Sequence, residues 1–142
     1  MKRKNIFGVA VFLSAVLFAY SAGAKIFDLP GYRSRIGDLP LPLWIAQPLT
    51  WLVPSVEILV VVLLLVPRTR LVGLISAVSL LVVFSVYLLY LTQYPILSCA
   101  CGGMLEQIGT GWHLSLNGGF ILLGAAGLRN KIKYNAQPIN SL

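Results

Sequence analysis

Two cysteines, Cys99 and Cys101, stand one residue apart in the segment Ser98-Cys99-Ala100-Cys101-Gly102-Gly103 and are the only two in a chain of 142 residues. Thiols at this spacing suit three chemistries: a local disulfide, a dithiol that exchanges with a partner's cysteines, or part of a metal site. A disulfide across one intervening residue closes a small, strained ring, and strain makes the bond more oxidising, which favours exchange over a permanent staple. A crosslink over so short a loop also constrains the unfolded chain very little. With His113 the cysteines supply only three ligands, one short of a closed structural zinc site, so no metal is expected. Gly102-Gly103 would leave the sulfurs open to another protein's thiol, although glycine pairs also make ordinary turns.

Three other side chains carry potential chemistry. His113 is the only histidine. Protonated beside a thiol it would raise the reactive thiolate fraction; otherwise it hydrogen-bonds loop backbone. Glu57 stands in the middle of an apolar run, where a carboxylate must be protonated or paired and must face the protein interior. It is a candidate for proton or quinone chemistry, or for a structural hydrogen bond to Ser14 or Ser79. Lys25 ends the first apolar run, placed to snorkel to headgroups or to reach towards the cysteine loop. Asn117, one turn after His113, reads as a link between helices, and Tyr87, Tyr90 and Tyr94 as an aromatic belt.

The elements that must position these groups are membrane helices. The chain is 58% hydrophobic and 11% charged, where a soluble domain carries about a quarter charged residues. Apolar runs at about 6–24, 45–66, 71–91 and 112–128 read as four spans. Backbone in lipid must satisfy its own hydrogen bonds, so the spans are helices. The expected fold is a single all-α integral membrane domain over 1–142, an antiparallel four-helix bundle with a Cys-x-Cys loop at about 92–111. Met1-Lys2-Arg3-Lys4 and Ala22-Gly23-Ala24 imitate a signal peptide, but the run is long and Tyr20 sits at the supposed cleavage site, so a retained helix is expected. Residues 25–44, with Pro30, Gly31, Pro40 and Pro42, read as a loop, and Trp44 and Trp51 as interfacial anchors. Ser14, Ser76, Ser79, Gly118, Gly119 and Gly124 are the expected points of close helix approach.

The formal charge of +7 would suggest nucleic acid in a soluble protein. Here the basic residues flank apolar runs, and no nucleic-acid role is expected. Four spans place Lys2, Arg3, Lys4, Arg68, Arg70, Arg129, Lys131 and Lys133 on one side, against Lys25, Arg33 and Arg35 on the other. The positive-inside rule makes the first side cytoplasmic, with both termini there and the cysteine loop extracytoplasmic, in a bacterial inner membrane.

Tyr20-Ser21-Ala22-Gly23-Ala24-Lys25 resembles the small-residue-plus-lysine signature of DoxX-like membrane proteins. Pro54-x-x-Glu57, the Arg68–Arg70 turn, Cys99-Ala100-Cys101-Gly102-Gly103 and Trp112-His113 with Asn117 resemble the MauE (methylamine utilisation) branch of that group, over about residues 6–128. The resemblance implies a redox-associated four-helix membrane protein that supports disulfide formation or electron delivery for extracytoplasmic partners. It makes Cys99 and Cys101 the redox pair, and Lys25 and Glu57 signature residues.

The expected function is therefore disulfide or electron exchange, through Cys99 and Cys101, with an extracytoplasmic or membrane partner that has exchangeable cysteines. Re-oxidation would fall to a quinone or another protein, as in bundles similar to DsbB and vitamin K epoxide reductase. Those bundles use additional cysteines to pass electrons inward, and this chain has two. The alternative is a non-catalytic scaffold subunit of a larger membrane complex, its cysteines a local clip.

Overall fold

The computed structural model describes residues 3–93 and 109–136. Among these there are five helices and no strand: α1 (Arg3–Phe27), α2 (Leu29–Gly37), α3 (Leu43–Leu65), α4 (Arg70–Leu91) and α5 (Thr110–Ala136). Three are long and apolar enough to cross a membrane, over Asn5–Phe27, Leu43–Leu65 and Arg70–Tyr90. These agree with the first three expected spans. The last helix differs from its expected extent of 112–128: it runs on through Arg129, Lys131 and Lys133, and it is not among the three apolar spans. Basic residues do not end a helix, because long side chains reach water while the backbone ladder continues.

The segment expected as a loop at 25–44 contains α2. Asp28 caps it, its carboxylate accepting from the Gly31 backbone N–H at 3.3 Å, and Pro30 falls in the first turn. Proline at that position lacks only an N–H that would be orphaned anyway, so it starts a helix rather than breaking one. Gly109, just before α5, has φ +87°, a left-handed conformation that glycine adopts without steric cost.

Side-chain burial explains the packing. In α1 the buried residues are Ala10, Val11, Ser14, Ala15, Phe18, Ala22 and Lys25, and in α3 they are Ala46, Thr50, Pro54, Glu57, Val60 and Leu64. Each set recurs at three- and four-residue steps, one face of an α-helix. The opposite faces expose large apolar side chains such as Phe12, Leu59, Val62 and Val86, an inside-out arrangement that suits lipid. α1 packs on α3 and α5, and α4 packs on the same two, so the four long helices close into a ring. The main core lies inside it, from Ala10 and Phe18 to Leu64, Leu74 and Leu81. A smaller cluster of Tyr32, Ile36 and Ala46 joins α2 to α3.

Close approach occurs at fewer of the expected places, and at two others. Gly124 abuts Val78 of α4, but a Cβ on Gly118 or Gly119 would meet nothing within 4 Å, and Ser79 is exposed. The tightest backbone contact is at Gly73, where a Cβ would lie 2.9 Å from the Leu63 carbonyl carbon and the Leu64 nitrogen of α3. Gly127 meets α1, with a Cβ there 3.0 Å from that of Ala10.

Candidate functional site

The interior of the ring carries a polar cluster built from two helices. Lys25, near the end of α1, is 2% exposed, and Glu57, in the middle of α3, is 1% exposed. The Lys25 Nζ donates to Glu57 Oε1 at 2.9 Å and Oε2 at 3.2 Å, and to Ser21 Oγ at 2.6 Å. Ser21 Oγ in turn donates to Glu57 Oε1 at 2.9 Å. One helical turn separates Ser21 from Lys25, so α1 presents both groups on one face to a single carboxylate of α3.

This geometry revises two expectations. Glu57 is partnered by Lys25 and Ser21 rather than by Ser14 or Ser79. Lys25 points inward to Glu57 rather than snorkelling to headgroups, while the cysteine loop that it was also expected to approach lies outside the described residues. The physical reason is mutual: each charge alone would be costly at this depth, and each removes that cost for the other. The three donors of the ammonium find acceptors among four oxygens, the two of Glu57 and the hydroxyl and backbone carbonyl of Ser21, which is the condition under which a buried pair is tolerated.

The cluster forms one wall of a cavity of about 350 Å³. That volume lies within the range of about 300–1,000 Å³ typical of small-molecule sites. α1 contributes Phe18, Ser21 and Lys25, and α2 contributes Tyr32 and Ile36. Glu57 and Leu52 of α3, Phe84 and Tyr87 of α4, and His113 and Asn117 of α5 complete it. The Tyr32 ring lies against the ammonium, 5.9 Å from Nζ to its centroid. Burial, and next the Glu57 carboxylate, push the Tyr32 hydroxyl above the usual tyrosine range, so it stays neutral. Tyr87 is not part of an outer belt: its hydroxyl is buried, and among the described residues it has no hydrogen-bond partner.

His113 sits in the first turn of α5, half-buried against the cavity, its backbone N–H donating to Gly109 at 3.2 Å. Asn117 is the interhelical link the sequence suggests, its Nδ2 donating to Ser85 Oγ of α4 at 3.3 Å. Lys25, Glu57 and His113 are thus brought to one cavity, while Cys99, Cys101 and most of the 92–111 loop lie outside the described residues. Ser21, Tyr32 and Tyr87 complete the site without having been singled out for chemistry. Ser21 carries a sequence signal, since it precedes Lys25 by four residues. Among the described residues, no group of three His, Cys, Asp or Glu side chains could hold a metal ion.

A neutralised ion pair, neutral tyrosines and apolar walls can bind an uncharged amphiphile and orient its polar end. No curated protein and no solved structure matches the chain. A protein family does: residues 3–129 match the family described as methylamine utilisation protein MauE. With that match over nearly all its length and three apolar helices of membrane-spanning size, the chain is a membrane protein that belongs to the MauE family.

Proposed function

We propose that this MauE-family protein, within methylamine utilisation, is a redox-associated inner-membrane component that exchanges disulfides or electrons with extracytoplasmic partner proteins through Cys99 and Cys101. α5 is the fourth span, completing an antiparallel four-helix bundle. A partner thiolate attacks one sulfur of the Cys99–Cys101 disulfide, the S–S bond breaks, and the released thiolate takes a proton. A second partner thiol then resolves the mixed disulfide, so the partner loses two electrons and this chain leaves as the dithiol.

The observation that carries this reading is the convergence of chain on one polar cavity at both ends of the cysteine segment. Tyr87 precedes it on α4 and His113 follows it on α5, and both line the cavity with Lys25 and Glu57. The charge asymmetry supports the outward orientation. Eight Lys and Arg flank the spans on the opposite side, against Lys25, Arg33 and Arg35 on the cysteine side.

The test is the redox state of the pair in cells, read by acid-quenched alkylation and gel shift, together with Cys101→Ser. A mixture of oxidised and reduced forms, and a mixed disulfide trapped by Cys101→Ser, are expected. A pair fully oxidised in every background, with nothing trapped, would overturn exchange and leave a clip in a scaffold subunit.

A further inference from the structure

Three helices meet near the end of α5. A Cβ on Gly127 would lie 3.0 Å from Ala10 and 3.5 Å from the Phe7 backbone of α1, and 3.4 Å from Leu74 of α4. Arg70 stands four residues from Leu74, and Lys131 four residues from Gly127, both towards the same end of the ring. Four residues are one turn, about 6 Å of rise, so the two bases share the meeting faces and lie at one depth. Lys131 is held over Phe7, its Nζ 5.6 Å from the ring centroid, a contact that leaves its N–H groups for an oxygen. Arg129 stands exposed two residues before it.

The protein supplies no counter-charge here. Among the described residues, Arg70, Arg129 and Lys131 make no ion pair and no side-chain hydrogen bond. The acids are elsewhere: Glu57 is held by Lys25, Asp28 and Asp38 flank α2, and Glu106 lies outside the described residues. Towards the middle of the same helices the outer surface is hydrocarbon, with Val72 and Ile75 of α4 and Leu122 of α5 exposed. Unanswered bases beside such a surface fit a ligand that is anionic at one end and apolar along the rest. An acidic protein segment or a free phosphate would meet the charges and cover none of the hydrocarbon. An anionic phospholipid does both. Setting topology needs only the number of bases at this end, not two of them brought to one depth by helix contact.

We propose that Arg70, Arg129 and Lys131 form a binding site for the headgroup phosphate of an anionic phospholipid whose acyl chains lie along α4 and α5. The site goes beyond disulfide exchange and uses neither Cys99 nor Cys101. The experiment compares phosphatidylglycerol with phosphatidylcholine of equal chain length, bound to the purified chain in detergent and read by native mass spectrometry. Saturable binding of one phosphatidylglycerol, preferred over phosphatidylcholine, is expected. Each base near a headgroup is worth about fivefold, so Arg70→Gln/Lys131→Gln should weaken phosphatidylglycerol about thirtyfold and leave phosphatidylcholine unchanged. Arg33→Gln, at the other end of the ring, should bind as the unaltered chain does.

A measurement without any variant guards against misfolding: raising salt from about 0.05 M to about 0.5 M should erode the preference of the unaltered chain. Inorganic phosphate at the lipid's concentration should not compete. Cys99→Ser/Cys101→Ser should bind as the unaltered chain does, so a failure of disulfide exchange and a failure of lipid binding are told apart. Equal binding of the two lipids, a preference that salt leaves intact, equal losses in Arg33→Gln and the double variant, or full competition by inorganic phosphate would each overturn the proposal.

Discussion

Two ion pairs begin three residues apart along the chain, at Lys25 and Asp28, and do different work. Asp28 and Arg35, at the two ends of α2, meet at 3.1 Å with side chains 60% and 20% exposed. Lys25 and Glu57 meet at 2.9 Å with almost no exposure, and they come from different helices. The first pair is local: one carboxylate caps α2 and reaches one guanidinium seven residues on. The second closes a gap of 32 residues and ties α1 to α3 at the one place where both carry a charge inside the ring. Similar distances therefore give no guide to importance; solvent and sequence separation decide it.

The largest effect should come from breaking the inner pair on one side. Glu57→Ala leaves an uncompensated ammonium inside the helices and should cost about 3–5 kcal/mol, read as loss of thermal stability of the purified protein in detergent. The double change Lys25→Met/Glu57→Leu sharpens the comparison. It should recover most of that loss, because similar-sized apolar residues often replace a buried pair at little cost. A double variant as unstable as Glu57→Ala would show that the pair contributes more than mutual neutralisation.

An intermediate effect is expected away from both pairs. Gly73→Val drives a side chain into the α3 backbone and should cost about 1–3 kcal/mol as overpacking, measured the same way. The smallest effect belongs to the outer pair. Arg35→Gln should cost less than about 1 kcal/mol, and added salt should mask even that. A large loss there would mean that α2 depends on Arg35 in some way other than its contact with Asp28.

Much of this architecture is legible in the sequence, for physical reasons that also mark the limits. The helices α1, α3 and α4 announce themselves because lipid permits only long apolar runs with internally satisfied backbones. α2 is less legible because Pro30 and Gly31 suggest a turn until Asp28 is recognised as the cap that makes proline a starter. The inward direction of Lys25 is encoded in its phase: it follows Phe18 and Ala22 at three- and four-residue steps, and Glu57 follows Pro54 in the same way. A lysine at a helix end invites the snorkelling reading, and only a carboxylate at matching depth on a neighbouring helix reverses it. Tyr87 is harder still. It is spaced with Tyr90 and Tyr94 like an interfacial belt, and nothing in its type or spacing distinguishes a ring facing the cavity from one facing lipid.

The contact at Gly73 has a mechanical consequence. It pins α3 and α4 backbone to backbone beside their connecting turn, whereas Leu52 and Val83, which both line the cavity, lie farther along the same two helices. Two rods clamped near one end behave as tweezers with a fixed fulcrum. Val83 stands ten residues beyond Gly73, about 15 Å at the rise of an α-helix, so tilting α4 by about 5° about that contact moves Val83 by about 1.3 Å. The width of the cavity between them is thus set by leverage rather than by local side-chain motion, and the fulcrum is a residue with no side chain at all.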